Sequence, residues 1–251
     1  MTLLATDTKL YGSAAMPENE TDVNIGGVID LTTLISFTRL DVDSIIEVVS
    51  DNAADTMNIT LTGRAPNGTL LTETVALNGL TVVDVPNTFK RLLKVELAVA
   101  AAGTITVRKD AAAGDLMSFP AGVTTIRRPF MFVAADVATG LDRVFYEKIF
   151  FRNDNATDAL LTATIALGVN PGGVFAFDLD ATLDANSTNG VGNNRSVAPV
   201  GFTFDGTEKS VPGGDLTEAS AIGIWLELSL AKGAAAADEE FRLDLSGTDV
   251  S

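Results

Sequence analysis

The most chemically suggestive stretch of this sequence is an acidic loop carrying Asp178, Asp180, Asp184, Asn186 and Asn189. Its carboxylate and amide oxygens are hard ligands of the kind calcium takes, and Asp184-x-Asn186-x-Thr188 resembles the opening of a calcium loop. The spacing then departs. Asn189 stands at the sixth position, where glycine makes the sharp turn, and Arg195 stands where the bidentate glutamate belongs. A solvated, turn-forming loop fits these residues better than a metal site. Glycoside hydrolysis by paired carboxylates is the next candidate, since 33 acidic residues supply many partners. It needs one carboxyl in an apolar cleft, and no such placement is visible; Glu73 and Glu227 lie mid-strand, where a glutamate on the wet face is ordinary. Gly190-Val191-Gly192-Asn193-Asn194-Arg195 begins like a dinucleotide fingerprint but ends in arginine and opens no helix. A phosphate-binding Gly-x-x-x-x-Gly-Lys-Ser/Thr loop is absent. The chain also has no His and no Cys. That removes the imidazole bases and His triads, the thiolate nucleophiles, the Cys-zinc and iron–sulfur sites, and disulfides. No catalytic residue, cofactor or metal is assigned, and the expectation is a protein that is not an enzyme.

Charge narrows the partners. With 17 Lys and Arg against 33 Asp and Glu, the net charge is −16. Such a surface repels nucleic-acid phosphates and anionic membranes, so neither is an expected partner. Arg127-Arg128 and Lys90-Arg91 are too sparse for a nucleic-acid patch. The balance is uneven: residues 90–152 carry 10 basic and 6 acidic groups, a basic band between two acidic ends. No run approaches ~20 consecutive apolar residues. The first residues lack a basic region followed by an apolar one, which predicts a product of the cytoplasm not exported through a cleaved signal.

The elements that would position any site are strands. Ile222, Ile224, Leu226, Leu228 and Leu230 alternate, as do Phe241, Leu243 and Leu245. Met57–Thr62, Val95–Val99, Thr104–Arg108 and Leu161–Leu167 read likewise, with threonine abundant on alternate positions. Pro66-Asn67-Gly68, Asn78-Gly79, Pro171-Gly172-Gly173, Asn189-Gly190 and Pro212-Gly213-Gly214 are turns. Gly114–Met117 and Lys232–Glu240 are the only helix-like segments, and both are short. Alternation places Trp225 outward, on the face opposite Ile224 and Leu226; there it marks an interface, unless a covering loop or a strand buried on both faces hides it.

An internal repeat organises the chain. Asp51-Asn52-Ala53-Ala54-Asp55 recurs as Asp154-Asn155-Ala156-Thr157-Asp158, each after a hydrophobic strand and before an alternating one. The expected fold is all-β: two tandem immunoglobulin-like β-sandwich domains with an N-terminal arm. The arm covers residues 1–21, domain one 22–115, a linker 116–127, and domain two 128–251. Leu3, Leu4, Leu10, Tyr11 and Met16 are scattered through the arm without a strand pattern, which suits a segment ordered by binding. Trp225, Tyr11, Arg127 and Arg128 are the candidate partner-facing residues.

Met57–Gly63, Asn67-Gly68, Leu71–Val75, Asn87–Lys90 and Ala101–Val107 resemble a small β-domain that recurs in tailed-bacteriophage virion proteins. Lys148–Asn153, Gly223–Leu226 and the Ala-rich loop are similar to a second phage module. The resemblance covers most of residues 45–250 and consists of strand-and-turn signatures. It implies a capsid decoration (cement) protein on the virion exterior, assembled in the host cytoplasm. Its partners would be the major capsid protein of an HK97-like shell and further copies of itself, with a homotrimer favoured. No functional residue transfers with it. A phage tail or fibre component, or a carbohydrate-binding β-sandwich, is the alternative.

Overall fold

Period-two alternation accounts for many of the strands, such as Leu70–Ala76, whose exposure alternates along its length. The computed structural model describes residues 4–16, 18–36, 38–112, 114–134, 136, 140–234 and 241–249. Among them the chain forms sixteen strands and three short 3-10 turns, so it is all-β. In chain order the strands are β1 (Thr8–Ala15), β2 (Gly26–Leu34), β3 (Ile46–Ser50), β4 (Asn58–Arg64), β5 (Leu70–Ala76) and β6 (Val83–Asp84). Then come β7 (Arg91–Leu97), β8 (Ile105–Lys109), β9 (Asp115–Phe119), β10 (Thr125–Arg127) and β11 (Arg143–Asn153). β12 (Leu160–Val169), β13 (Phe175–Leu179), β14 (Lys209–Ser210), β15 (Ala221–Leu230) and β16 (Arg242–Asp249) complete the set.

The chain divides into two compact units, and the division is not a tandem one. One unit is split in sequence, Met1–Asp30 with Phe130–Ser251; the other is continuous, Leu31–Pro129. The expected boundaries at 22, 116 and 128 are therefore replaced by cuts at Asp30/Leu31 and Pro129/Phe130. The reason lies in β1. Residues 1–21 were expected to hold no strand, yet Thr8–Gly12 pair antiparallel with Asn153–Ile149 of β11. Polar contacts take the place of apolar alternation there: Lys9 Nζ and Tyr11 Oη donate to Asp154 at 2.7 and 2.8 Å, and Ser13 Oγ donates to the Gly26 carbonyl. Leu3 and residues 235–240 lie outside the described residues.

In the continuous unit, β5, β4, β7 and β10 form one sheet, with the end of β2 parallel to β10. β6, β3, β8 and β9 form the second. Ile59 and Leu61 of β4 stand opposite Leu97 and Val95 of β7, and Val48 of β3 opposite Val107 of β8; all six side chains are buried. Each such side chain stabilises the fold by about 1.5–3 kcal/mol. The stretch expected as a linker, 116–127, is core. Leu116, Met117, Phe119, Val123 and Ile126 are all buried, and Gly114–Met117 leads into β9 rather than a helix.

The split unit sets β13, β15, β11, β1 and the start of β2 in one sheet and β14, β12 and β16 in another. Its centre is the β11–β15 pair, in register over ten residues from Arg143↔Leu230 to Arg152↔Ala221. Phe145–Phe151 of β11 and Ala221–Leu226 of β15 are buried without a break, so both faces of these strands are covered. Alternation gives the two faces of such a strand but cannot say which one meets water.

Candidate functional site

Because neighbours on a strand face opposite ways, Glu147 and Lys148 of β11 project to opposite sides of a buried sheet. Each finds its own counter-ion. Lys148 Nζ lies 2.8 Å from Asp180 Oδ2, and the two side chains are 0% and 1% exposed. The same ammonium donates to the carbonyls of Gly27, Ala185 and Ser187 at 3.0–3.1 Å and to Ser187 Oγ at 2.9 Å. Ser187 Oγ in turn donates to Asp180 Oδ1 at 2.5 Å and accepts from Trp225 Nε1 at 2.9 Å. Burial pushes the Lys148 ammonium below the ordinary lysine range, against the pull of Asp180. Two glycines make the site possible. A Cβ on Gly223, in the strand between the two partners, would sit 2.0 Å from Asp180 Oδ2. One on Gly26, at φ +106°, would meet Ser187 O at 2.7 Å and the Trp225 ring at 2.8 Å.

On the other face Arg195 Nη2 meets Glu147 Oε2 at 2.8 Å, with both side chains wholly buried. Arg195 Nη1 donates to the Met131 carbonyl and the Phe130 N–H donates to Glu147. This pair holds a segment in which Phe130 and Phe132 both adopt left-handed backbone, φ 53° and 58°, which is uncommon for bulky residues. A third cluster, on β1 and β11, joins Lys9, Tyr11 and Arg152 to Asp154. Burial, then the Asp154 bond, pushes the Tyr11 hydroxyl up to about 12.

The partner-facing expectations change accordingly. Trp225 does not face solvent; it is 0% exposed, packed with Ile25 and Tyr146 and covered by Met16, Phe202 and Phe204. The covering loop is the alternative that the sequence had left open. Tyr11 and Arg127 are buried, and Arg128 is half-buried with Nε on the Leu92 carbonyl. Three cations of the basic band, Lys94, Arg127 and Lys148, thus lie in the interior rather than on a surface that could meet an acidic neighbour.

The acidic loop does not converge on a common point. Asp180 faces Lys148, Asp184 Oδ1 accepts the Ala221 N–H, and Asp178 accepts the N–H groups of Leu179 and Thr203. Asn189 donates to the Asn194 carbonyl instead. A carboxylate group that the sequence did not suggest is Glu47, Asp84 and Asp110, whose oxygens lie within 4.8 Å of one another. Glu47 and Asp84 meet only through the β3–β6 register, so spacing gave no sign of it. Its most buried member, Glu47, accepts from Arg108 Nε and the Ala111 N–H, each at 2.8 Å. As for the mid-strand glutamates, Glu73 accepts from Asn87 Nδ2, and the hydrogen bond between Tyr146 and Glu227 adds to the burial that pushes the tyrosine up to about 12. A recess of about 340 Å³ in the continuous unit has Asp115 as the one titratable group among its eight lining residues.

Some large apolar side chains stand in solvent. Val191 is 96% and Val200 92% exposed. Val191 belongs to a loop stapled by amides: Asn189 Nδ2 to Asn194 O, Asn193 Nδ2 to Asn189 O, and the Gly192 N–H to Asn24 Oδ1. Comparison with protein-family models, with curated proteins and with solved structures finds no match.

Proposed function

We propose that the chain is a structural virion component: a bacteriophage capsid decoration protein that binds the outer surface of an HK97-like shell as a homo-oligomer and braces neighbouring capsomers. The supporting observation is how the molecule spends its charged and apolar groups. Its most deeply buried ions neutralise one another and fix loops, while Val191, almost fully exposed, stands on a loop fastened by side-chain hydrogen bonds. That distribution serves a stable binding surface rather than a reaction. The two units, each with two sheets, are read as sandwiches of immunoglobulin-like size. Their strand-and-turn segments resemble phage virion modules. Attachment is assigned to exposed loops such as Val191–Val200 rather than to residues 1–21, whose β1 segment belongs to the fold.

Locating the chain on purified particles by cryo-electron microscopy tests this reading. Density on the capsid exterior supports it. Rings along the tail would move the assignment to a tail component, and absence from the particle would overturn it.

A further inference from the structure

We propose that Lys148 and Asp180 are the two halves of an internal isopeptide bond, an amide between Nζ and Cγ formed with loss of one water. The proposal stands independently of the virion reading. Both groups are essentially unexposed and their nearest atoms lie 2.8 Å apart. They sit among aromatic rings, with Phe150 4.8 Å and Trp225 6.0 Å from Nζ. An ammonium has three hydrogens. Backbone carbonyls of Gly27, Ala185 and Ser187 and the Ser187 hydroxyl take its hydrogen bonds, while Asp180 Oδ2 lies 2.8 Å from Nζ without hydrogen-bond geometry and has no other donor. Rotation of the ammonium and transfer of one proton to Oδ2, 2.8 Å away, would give a neutral amine with a lone pair toward the carboxyl. Burial lowers the affinity of Lys148 for its proton, which eases that transfer.

The bond-making step then balances within the site. Nζ attacks Cγ, and the carbonyl electrons move onto Oδ1, where the Ser187 hydroxyl already donates at 2.5 Å. As the intermediate collapses, a proton passes from Nζ to Oδ2, the Cγ–Oδ2 bond breaks, and water leaves. One ammonium and one carboxylate become one amide and one water, with nothing oxidised or reduced. The amide keeps one N–H for a cage carbonyl and one oxygen for Ser187. Fixed neighbours of this kind reach effective molarities of about 10⁵ M and above, which is what condensation of unactivated groups requires. The link would cross β15 and tie β11 to the end of β13, a crossing that Gly223 alone leaves room for.

Full-length protein is denatured, weighed by mass spectrometry and digested with trypsin. The expected chain is one water lighter than its sequence, and it yields a branched peptide joining the Lys148 and Asp180 segments, uncleaved after Lys148. Lys148→Arg should return the mass to that of the sequence. If that variant fails to fold, Ser187→Ala retains both reacting groups and should slow the appearance of the branched peptide roughly a hundredfold. Cleavage after Lys148 in a linear peptide would overturn the proposal. Water loss confined to a linear peptide, the mark of a succinimide, would overturn it equally.

Discussion

The two units carry the same turn and build different sheets around it. In the continuous unit the Ala54 N–H caps Asn52 Oδ1 at 2.9 Å, and in the split unit the Thr157 N–H caps Asn155 Oδ1 at 2.9 Å. The strands on either side choose different partners. The repeat matches β3 and β4 with β11 and β12. It also matches Val95-Glu96-Leu97 and residues 105–107 with Leu226-Glu227-Leu228 and residues 241–245, that is β7 with β15 and β8 with β16. Yet β3 pairs with β8 and β4 with β7, whereas β11 pairs with β15 and β12 with β16. A duplicated domain keeps its strand partners, and these do not. The repeat therefore reports a shared Asx turn, a local device that any strand-to-strand corner can use. The interiors differ as well. The split unit buries two ion pairs completely, while in the continuous unit Lys94–Glu96 and Arg108–Glu47 each keep one partner in reach of water. Among the described residues, the ion pairs shut off completely from water are those of the split unit.

Trp225, the single tryptophan, lies in the split unit and is the local fluorescence probe of its unfolding. The sharpest break of the contrast is Arg195→Met, which strands Glu147 in the core. It should cost the split unit about 3–5 kcal/mol in denaturant titrations followed by Trp225 fluorescence. The double variant Glu147→Gln with Arg195→Met should lose less than the single one, because no lone charge remains. Leu61→Ala should cost the continuous unit about 3 kcal/mol through cavity formation and leave the tryptophan transition in place, as hydrogen exchange of β4 and β7 can show. Third comes Asp55, which binds Ser50 Oγ and the N–H groups of Ala102 and Gly103. The Ser50 bond leads in holding its carboxyl below the usual 3.8. A lowered folded value contributes stability that is complete above the unfolded value and lost as pH falls through the folded one. Asp55→Asn should cost about 1–2 kcal/mol at pH 7 and flatten the decline of the continuous unit below pH 4. The smallest effect on folding belongs to Val191→Ser and Val200→Ser, within about 0.5 kcal/mol. Those two should still weaken particle binding in a reconstitution assay.

Much of the fold was legible because strands advertise themselves. The alternation at Ile222–Leu230 and the Asn-Gly and Pro-Gly turns locate elements that the structure contains. β1 was illegible because Lys9, Tyr11 and Ser13 are held by hydrogen bonds to particular partners, and no pattern encodes partners 13 to 145 residues away. Trp225 was left undecided for a related reason: alternation separates the faces of β15, but only the covering loop decides that both are dry. The sequence also drew attention to Asp180 as a metal ligand. Its real partner is a cation 32 positions earlier, on a strand two places away in the sheet.

The split in sequence has a consequence for how the chain is made. As the chain leaves the ribosome, β1 emerges well before its partner residues on β11, which lie at 149–153. At roughly 5–20 residues per second, β1 waits on the order of ten seconds, while residues 31–129 emerge and can fold. A strand left unpaired that long is a template for aggregation unless it is too polar to stick. Thr8-Lys9-Leu10-Tyr11-Gly12-Ser13 meets that need: its charge, hydroxyls and glycine keep it soluble until Asp154 arrives. The polar spelling that hides β1 from a pattern search is what lets the nascent chain wait.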